Sequence, residues 1–253
     1  VVAQDGGGPV ILVCAATGVE ARACRRGLAR AHALDRFEVL RTGIGADAAE
    51  RGLRARLASI TGPSSAEAPT AIVSTGFAGA KSDDLALGEW VLAEVLPEPL
   101  KTHPWLNGLL SRTLKARPVR CDAVDAVDTH RAPEEVPRAR QAESLPQVVD
   151  MESLRLASVA AELGLPFACL RLISDTPAQP IPDAIATFVQ PGPKRSKRWP
   201  RALRQGLGSP TQLIGFARRT LPLTGQLMDG WERLGAALPR GSPGASEKLA
   251  RVK

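Results

Sequence analysis

The sequence predicts a single α/β domain of three layers, α/β/α, around a mixed and mostly parallel central sheet. Three observations carry that expectation. Short apolar runs alternate along the chain with stretches of helical periodicity. The runs are apolar on both faces, as strands covered on two sides must be. Three of them end in glycines or acidic residues, as do strands that present a ligand edge. A chain of 253 residues with 44% apolar and 23% charged side chains is large enough for such a core and has an ordinary globular composition.

Val10–Ala16 reads as the first buried strand, stopped by Thr17-Gly18. Ala21–Ala33 has helical character, Phe37–Arg41 reads as a strand running into Thr42-Gly43-Ile44-Gly45, and a helix is expected from Ala46 to Ile60. Ala71–Ser74 is the next strand, ending at Thr75-Gly76-Phe77-Ala78-Gly79, and Leu87–Val95 a turn leading into another. A helix is expected near Trp105–Leu114, whereas Val119–Pro146 has no clear period. Order returns at Val148-Val149-Asp150, with a helix from Glu152 to Leu163 ended by Gly164. Phe167–Ile173 is a strand closing on Ser174-Asp175. A Pro/Gly/Lys/Arg loop then covers 191–200, followed by short helices around 201–207, 211–220 and 224–237 and a loose tail. This divides the chain into a flexible start at 1–9, a domain at 10–190 and a basic, partly helical extension at 191–253.

The charge supports that division. The formal net charge is +7, but residues 191–253 hold 13 Lys/Arg against 3 Asp/Glu, and residues 1–190 hold 20 against 23. Aromatics are 4% of the chain and Tyr is absent, which leaves little to stack single-stranded bases, so no nucleic acid partner is expected. The basic end suits an anionic membrane surface or plain solvent. Four scattered cysteines without C-x-x-C spacing and three histidines argue against a structural zinc site, so no metal is expected. No run approaches a membrane span, and the start lacks a basic segment followed by an apolar one. A cytoplasmic protein, with the membrane surface as a second address, is the expectation.

Several residues at the strand ends could carry chemistry. Gly43-x-Gly45 lets a backbone approach a ligand, although an ordinary strand-to-helix turn uses the same residues. It is no dinucleotide fingerprint, because Ala48 stands where that motif needs its third glycine after two spacers. Asp175, directly after a buried strand, suits either a turn former or a desolvated acid holding a proton for a leaving group. Asp150-Met151-Glu152-Ser153 puts two acids at a helix start, where the dipole favours them with or without a ligand. Glu20 is a third acid at the same edge, equally at home as a first-turn glutamate.

Taken in order, Thr42–Gly45, Ser74–Gly79 with Gly88-Glu89-Trp90-Val91, Val149–Ser153 and Pro166–Asp175 resemble the nucleoside phosphorylase and methylthioadenosine/adenosylhomocysteine nucleosidase superfamily, over roughly residues 10–190. The resemblance implies the phosphorylase/hydrolase-like fold and cleavage of the N-ribosidic bond of an adenine-type purine nucleoside. It implies that Asp175 protonates the departing base, Glu152 binds ribose hydroxyls and Met151 packs on sugar and base. Asp150, Ile44, Phe77, Ala78, Gly79 and Ser174 would complete the substrate site, with Glu20 orienting water. No cofactor is implied; phosphate would be the co-substrate of a phosphorolytic reaction. A homo-oligomer is expected by the same analogy.

A narrower resemblance, carried by Asp150–Ser153 and Ser209–Arg218, is to the hopanoid-associated phosphorylase branch, implying an adenosylated lipid such as adenosylhopane and peripheral membrane contact. Two residues depart from the wider pattern. Phe77 stands where nucleosidases carry a serine, and Val127 falls about where an aromatic stacks on the base. The rival readings are a non-catalytic nucleoside binder and a membrane-binding module built on the basic end.

Overall fold

The computed structural model describes residues 10–60, 68–96, 102–123, 145–182, 185–186 and 210–238. The flexible start, Val127, the 191–200 loop, the 201–207 helix and the tail expected from sequence lie outside them. In chain order the elements are β1 (Val10–Ala15), α1 (Gly18–Arg30), β2 (Phe37–Arg41), α2 (Ala46–Ala58), β3 (Pro69–Ala80), β4 (Trp90–Val95), α3 (Pro104–Leu114), β5 (Arg117–Ala123), β6 (Gln147–Asp150), α4 (Ser153–Glu162), β7 (Phe167–Asp175) and α5 (Pro210–Ala237).

The seven strands form one mixed sheet in the order β2-β1-β3-β6-β5-β4-β7. Five pairings are parallel, and β3–β6 and β4–β7 are antiparallel. Because β7 also pairs with β3, strands β3, β6, β5, β4 and β7 close into a ring, with β1 and β2 as a parallel extension. Closure removes the free edges that β3 and β7 would otherwise expose.

Two apolar cores flank the sheet. Alternate strand residues such as Val13, Val73, Leu170 and Leu172 pack with α1, α3 and α5, while Leu12, Ile72, Cys169 and Ile173 belong to the core that holds α2 and α4. The three-layer, mostly parallel α/β/α expectation therefore holds. The helices start where their caps allow: Thr17 and Glu20 form a reciprocal capping box, which opens α1 at Gly18 rather than Ala21.

Three expectations are corrected. The strand read as ending at Ser74 runs on to Ala80, because Gly76–Gly79 gain ladder partners from β7 on one side and Gly79 and Ala80 from β6 on the other. Pairing supplies what their weak strand propensity does not. The region without a clear period contains β5, whose Val119 and Cys121 face inward. The helices read at 211–220 and 224–237 are one, since α5 continues through Pro222.

The second half of α5 is part of the core. Leu223, Leu227, Trp231 and Leu234 recur at helical spacing and are buried, although charge had set their stretch apart from the domain. The Trp231 indole N–H donates to Thr75 Oγ1 on β3 (3.3 Å), and its ring meets Phe37 edge-on at 6.0 Å. Gly27 of α1 brings the two helices into backbone contact: a Cβ there would lie 2.1 Å from the carbonyl oxygen of Met228.

Candidate active site

One edge of the sheet collects the starts of α1, α2 and α4, the second half of β3 and the end of β7. The segment Gly76–Gly79 is its spine. Gly76 has φ +143°, a conformation that side-chain-bearing residues rarely adopt, and lies directly against the Glu20 carboxylate.

Glu20 is buried, and most of its hydrogen-bonding capacity is taken. Oε2 accepts from the Thr17 amide (2.8 Å) and the Thr17 hydroxyl (2.6 Å), and Oε1 accepts from the Phe77 amide (2.9 Å). A carboxylate offers about four acceptor sites, so about one remains, on Oε1. Glu20 thus ties α1 to β3 and keeps room for a single further donor.

Glu152 stands at the N-cap position of α4, and its Oε1 accepts from the Gly45 amide at 2.7 Å, joining the β6–α4 turn to the β2–α2 turn. Burial pushes its carboxyl up to about 7, with repulsion from Asp150 and Glu20 adding to the rise and the Gly45 hydrogen bond opposing it. A group with that value changes charge near neutrality.

Asp175 closes β7 in register with Gly79. Its Oδ1 accepts from the Ser174 hydroxyl (2.6 Å), which also reaches the Ala78 carbonyl at 3.4 Å. Burial raises the Asp175 carboxyl and the Ser174 hydrogen bond partly offsets the rise. That environment keeps a proton on a carboxyl beyond the pH at which a solvated aspartate loses it, as a general acid requires.

Of the other expected site residues, Ile44, Met151 and Gly79 are half-buried at this edge and Ala78 is buried. Phe77 is half-buried with its side chain packed on the α1/α3/α5 core, so its nearest polar contribution is the amide that holds Glu20.

The carboxylate of Asp150, expected in the substrate site, is engaged within the protein. Oδ1 accepts from the amides of Glu152 (3.0 Å) and Ser153 (2.9 Å). Oδ2 accepts from Arg171 through Nε (2.9 Å) and a terminal nitrogen (2.7 Å), and from the Ser153 hydroxyl. Although burial opposes ionisation, the Arg171 charge and these donors hold the Asp150 carboxyl below its ordinary value. Asp150 therefore positions Glu152 by fixing the turn on which it sits.

Arg171 completes that cluster. The same terminal nitrogen reaches Ser74 Oγ and Ser153 Oγ, both at 2.7 Å, and the other terminal nitrogen donates to the Leu170 carbonyl at 3.2 Å. The ligand atoms of Cys121, Asp150 and Cys169 come within 4.8 Å of one another, as a metal site would need. The positive charge they call for is already supplied by Arg171, which is only 2% exposed.

Comparison with known proteins agrees with this architecture. Residues 122–199 match the family profile described as the phosphorylase superfamily. No curated protein matches the chain. Among solved structures, the chain is similar to the 5'-methylthioadenosine/S-adenosylhomocysteine nucleosidase of Neisseria meningitidis in complex with methylthio-immucillin-A, with a TM-score of 0.59 and 13% identity over 91% of this chain and 100% of that one. The corresponding Helicobacter pylori nucleosidase gives 0.58 and 15% over 92% and 100%. The futalosine hydrolase of the same organism gives 0.58 and 14% over 91% and 98%. The chain shares the fold of these three structures.

Within that fold, sequence reasoning passed over Arg171 and Thr17. A lone arginine inside the apolar run Phe167–Ile173 was a usable signal, because a buried charge must find a partner. Thr17 with Glu20 spells a capping box, also legible in advance. The Gly45–Glu152 hydrogen bond, 107 residues apart in sequence, left no local trace.

Proposed function

We propose that the chain hydrolyses the N-ribosidic bond of an adenine-type purine nucleoside. The observation that carries this is Asp175, a half-buried carboxyl with a raised proton affinity at the end of β7, on the same edge as Glu152 and Glu20. Asp175 gives its proton to N7 of the base as the bond from C1' to N9 breaks. Positive charge develops on the sugar, and the carboxylates facing it stabilise that charge. Glu152 clamps the ribose hydroxyls. A water held by the remaining acceptor site of Glu20 adds to C1', and Glu20 takes its proton.

Water is favoured over phosphate as the nucleophile because the remaining acceptor site of the Glu20 carboxylate suits a water O–H and repels an anion. The similar structures, nucleosidases and a hydrolase, point the same way. The test offers adenosine and methylthioadenosine with and without phosphate and follows free adenine. Release independent of phosphate is expected; strict phosphate dependence would reverse the choice of nucleophile, and binding without any release would leave a nucleoside-binding protein.

A second reading concerns the 5' substituent. An adenosylated lipid, such as adenosylhopane, is favoured by the exposed apolar side chains Ile214 and Leu221 on the first half of α5. It is tested by offering an adenosyl lipid in the same assay.

A further inference from the structure

α5 has two halves with opposite environments. From Leu223 onward it is packed into the core. Before Pro222, Ile214 is 54% and Leu221 71% exposed, with Ala217 exposed between them. These three residues stand at i, i+3 and i+7, one stripe of a helix. Arg218, exposed, flanks the stripe, and neither Arg218 nor Arg219 has an ion-pair partner among the described residues.

The stripe has a defined position relative to the candidate site. Gly27 of α1 lies beside Met228 and Glu232, and Ala31 and Ala33 lie beside Gly235, so α1 and α5 run in the same direction. α1 begins at the ligand edge, and the first half of α5 therefore extends past that edge. A second contact agrees: Leu223 and Gln226 lie against Gly88, whose amide donates to the Ile173 carbonyl two residues before Asp175. From Leu223 back to Ile214 the helix advances about 14 Å.

We propose that the first half of α5 docks on an anionic lipid surface, seating the ligand edge against it. The apolar stripe would enter the headgroup boundary, as amphipathic interfacial helices do. The sign of the charge selects the lipid: residues 191–228 contain eight Lys/Arg and no Asp/Glu. A second copy of the chain would bring Arg218 and Arg219 against the same arginines, which disfavours self-association through this face. No described helix is long and apolar enough to cross a membrane, so the contact is peripheral. The proposal deepens the reading of this edge as the substrate entrance and rests on it for its purpose, not for its test.

The full chain is floated with phosphatidylcholine vesicles and with vesicles of equal phosphatidylcholine and phosphatidylglycerol, at low and high salt. Binding at least about tenfold stronger to the anionic vesicles, and weakened by salt, is expected. The double substitution Ile214→Asp/Leu221→Asp should reduce it at least about tenfold while the melting temperature stays as in the parent. Arg218→Glu, a milder change, should weaken anionic binding alone. Equal binding to both vesicles, or an unchanged double variant, overturns the proposal. So does a parent dimer that ignores vesicles and becomes a monomer on double substitution, which would make the stripe an interface between copies. Vesicle binding without adenine release from any nucleoside would remove the proposed activity and leave the docking surface standing.

Discussion

Gly79 and Asp175 are register partners on β3 and β7, and a Cβ on Gly79 would lie 2.7 Å from Asp175 Oδ2. The acid therefore rests on a bare stretch of backbone. Gly79→Ala should displace the carboxylate and lower kcat/KM for adenine release by about tenfold or more, as misplacement of a catalytic group does. In an Asp175→Asn background the same change should cost little. A full additional loss there would show that Gly79 acts through something other than Asp175.

Asp175→Asn itself should slow base release by about 100-fold or more, the scale of a lost general acid. The pH profile tests the same assignment more finely. Burial raises the Asp175 carboxyl and the Ser174 hydroxyl opposes that rise by bonding to the ionised form. Ser174→Ala should therefore move the alkaline limb of the kcat/KM profile to higher pH. A limb that stays in place would assign it to another group.

Glu152 makes stability depend on pH. Its folded value of about 7 lies above the ordinary 4.5, so the folded state holds the proton more tightly than the unfolded one. Stability from this group is fully present below about pH 4.5 and is lost as pH rises through about 7. The loss should be about 1–3 kcal/mol. Glu152→Gln keeps an acceptor for the Gly45 amide and should remove that slope. Urea unfolding at pH 5 and pH 8 measures it, and parallel losses in parent and variant would locate the titration elsewhere.

Arg171 and Asp150 are both almost wholly enclosed, so each charge depends on the other for compensation. Arg171→Leu should destabilise the fold by about 3–5 kcal/mol by stranding the Asp150 carboxylate. Adding Asp150→Asn should recover part of that loss in urea unfolding. A double variant no more stable than Arg171→Leu would show that the arginine acts mainly through Ser74 and Ser153.

The strand–helix alternation was legible because each apolar run and each cap is local: β2, α2 and β7 fall where periodicity puts them. The acids at strand ends were legible as candidates for the same reason. The destination of each carboxylate was not. Asp150 and Glu152 are two residues apart with similar local surroundings, yet one is spent on Arg171 and the other faces Gly45.

The sequence alone determined the three-layer α/β/α class, the strand ends that carry glycines and acids, and the basic character of the end, since these follow from hydrophobic period, glycine placement and charge count. Only the tertiary structure decided that β3 continues through its glycines, that β3 and β7 close a ring, and that α5 is core in one half and exposed in the other. Those outcomes depend on hydrogen bonds and contacts between residues far apart in the chain. A local stretch of sequence has no term for the partner that will meet it.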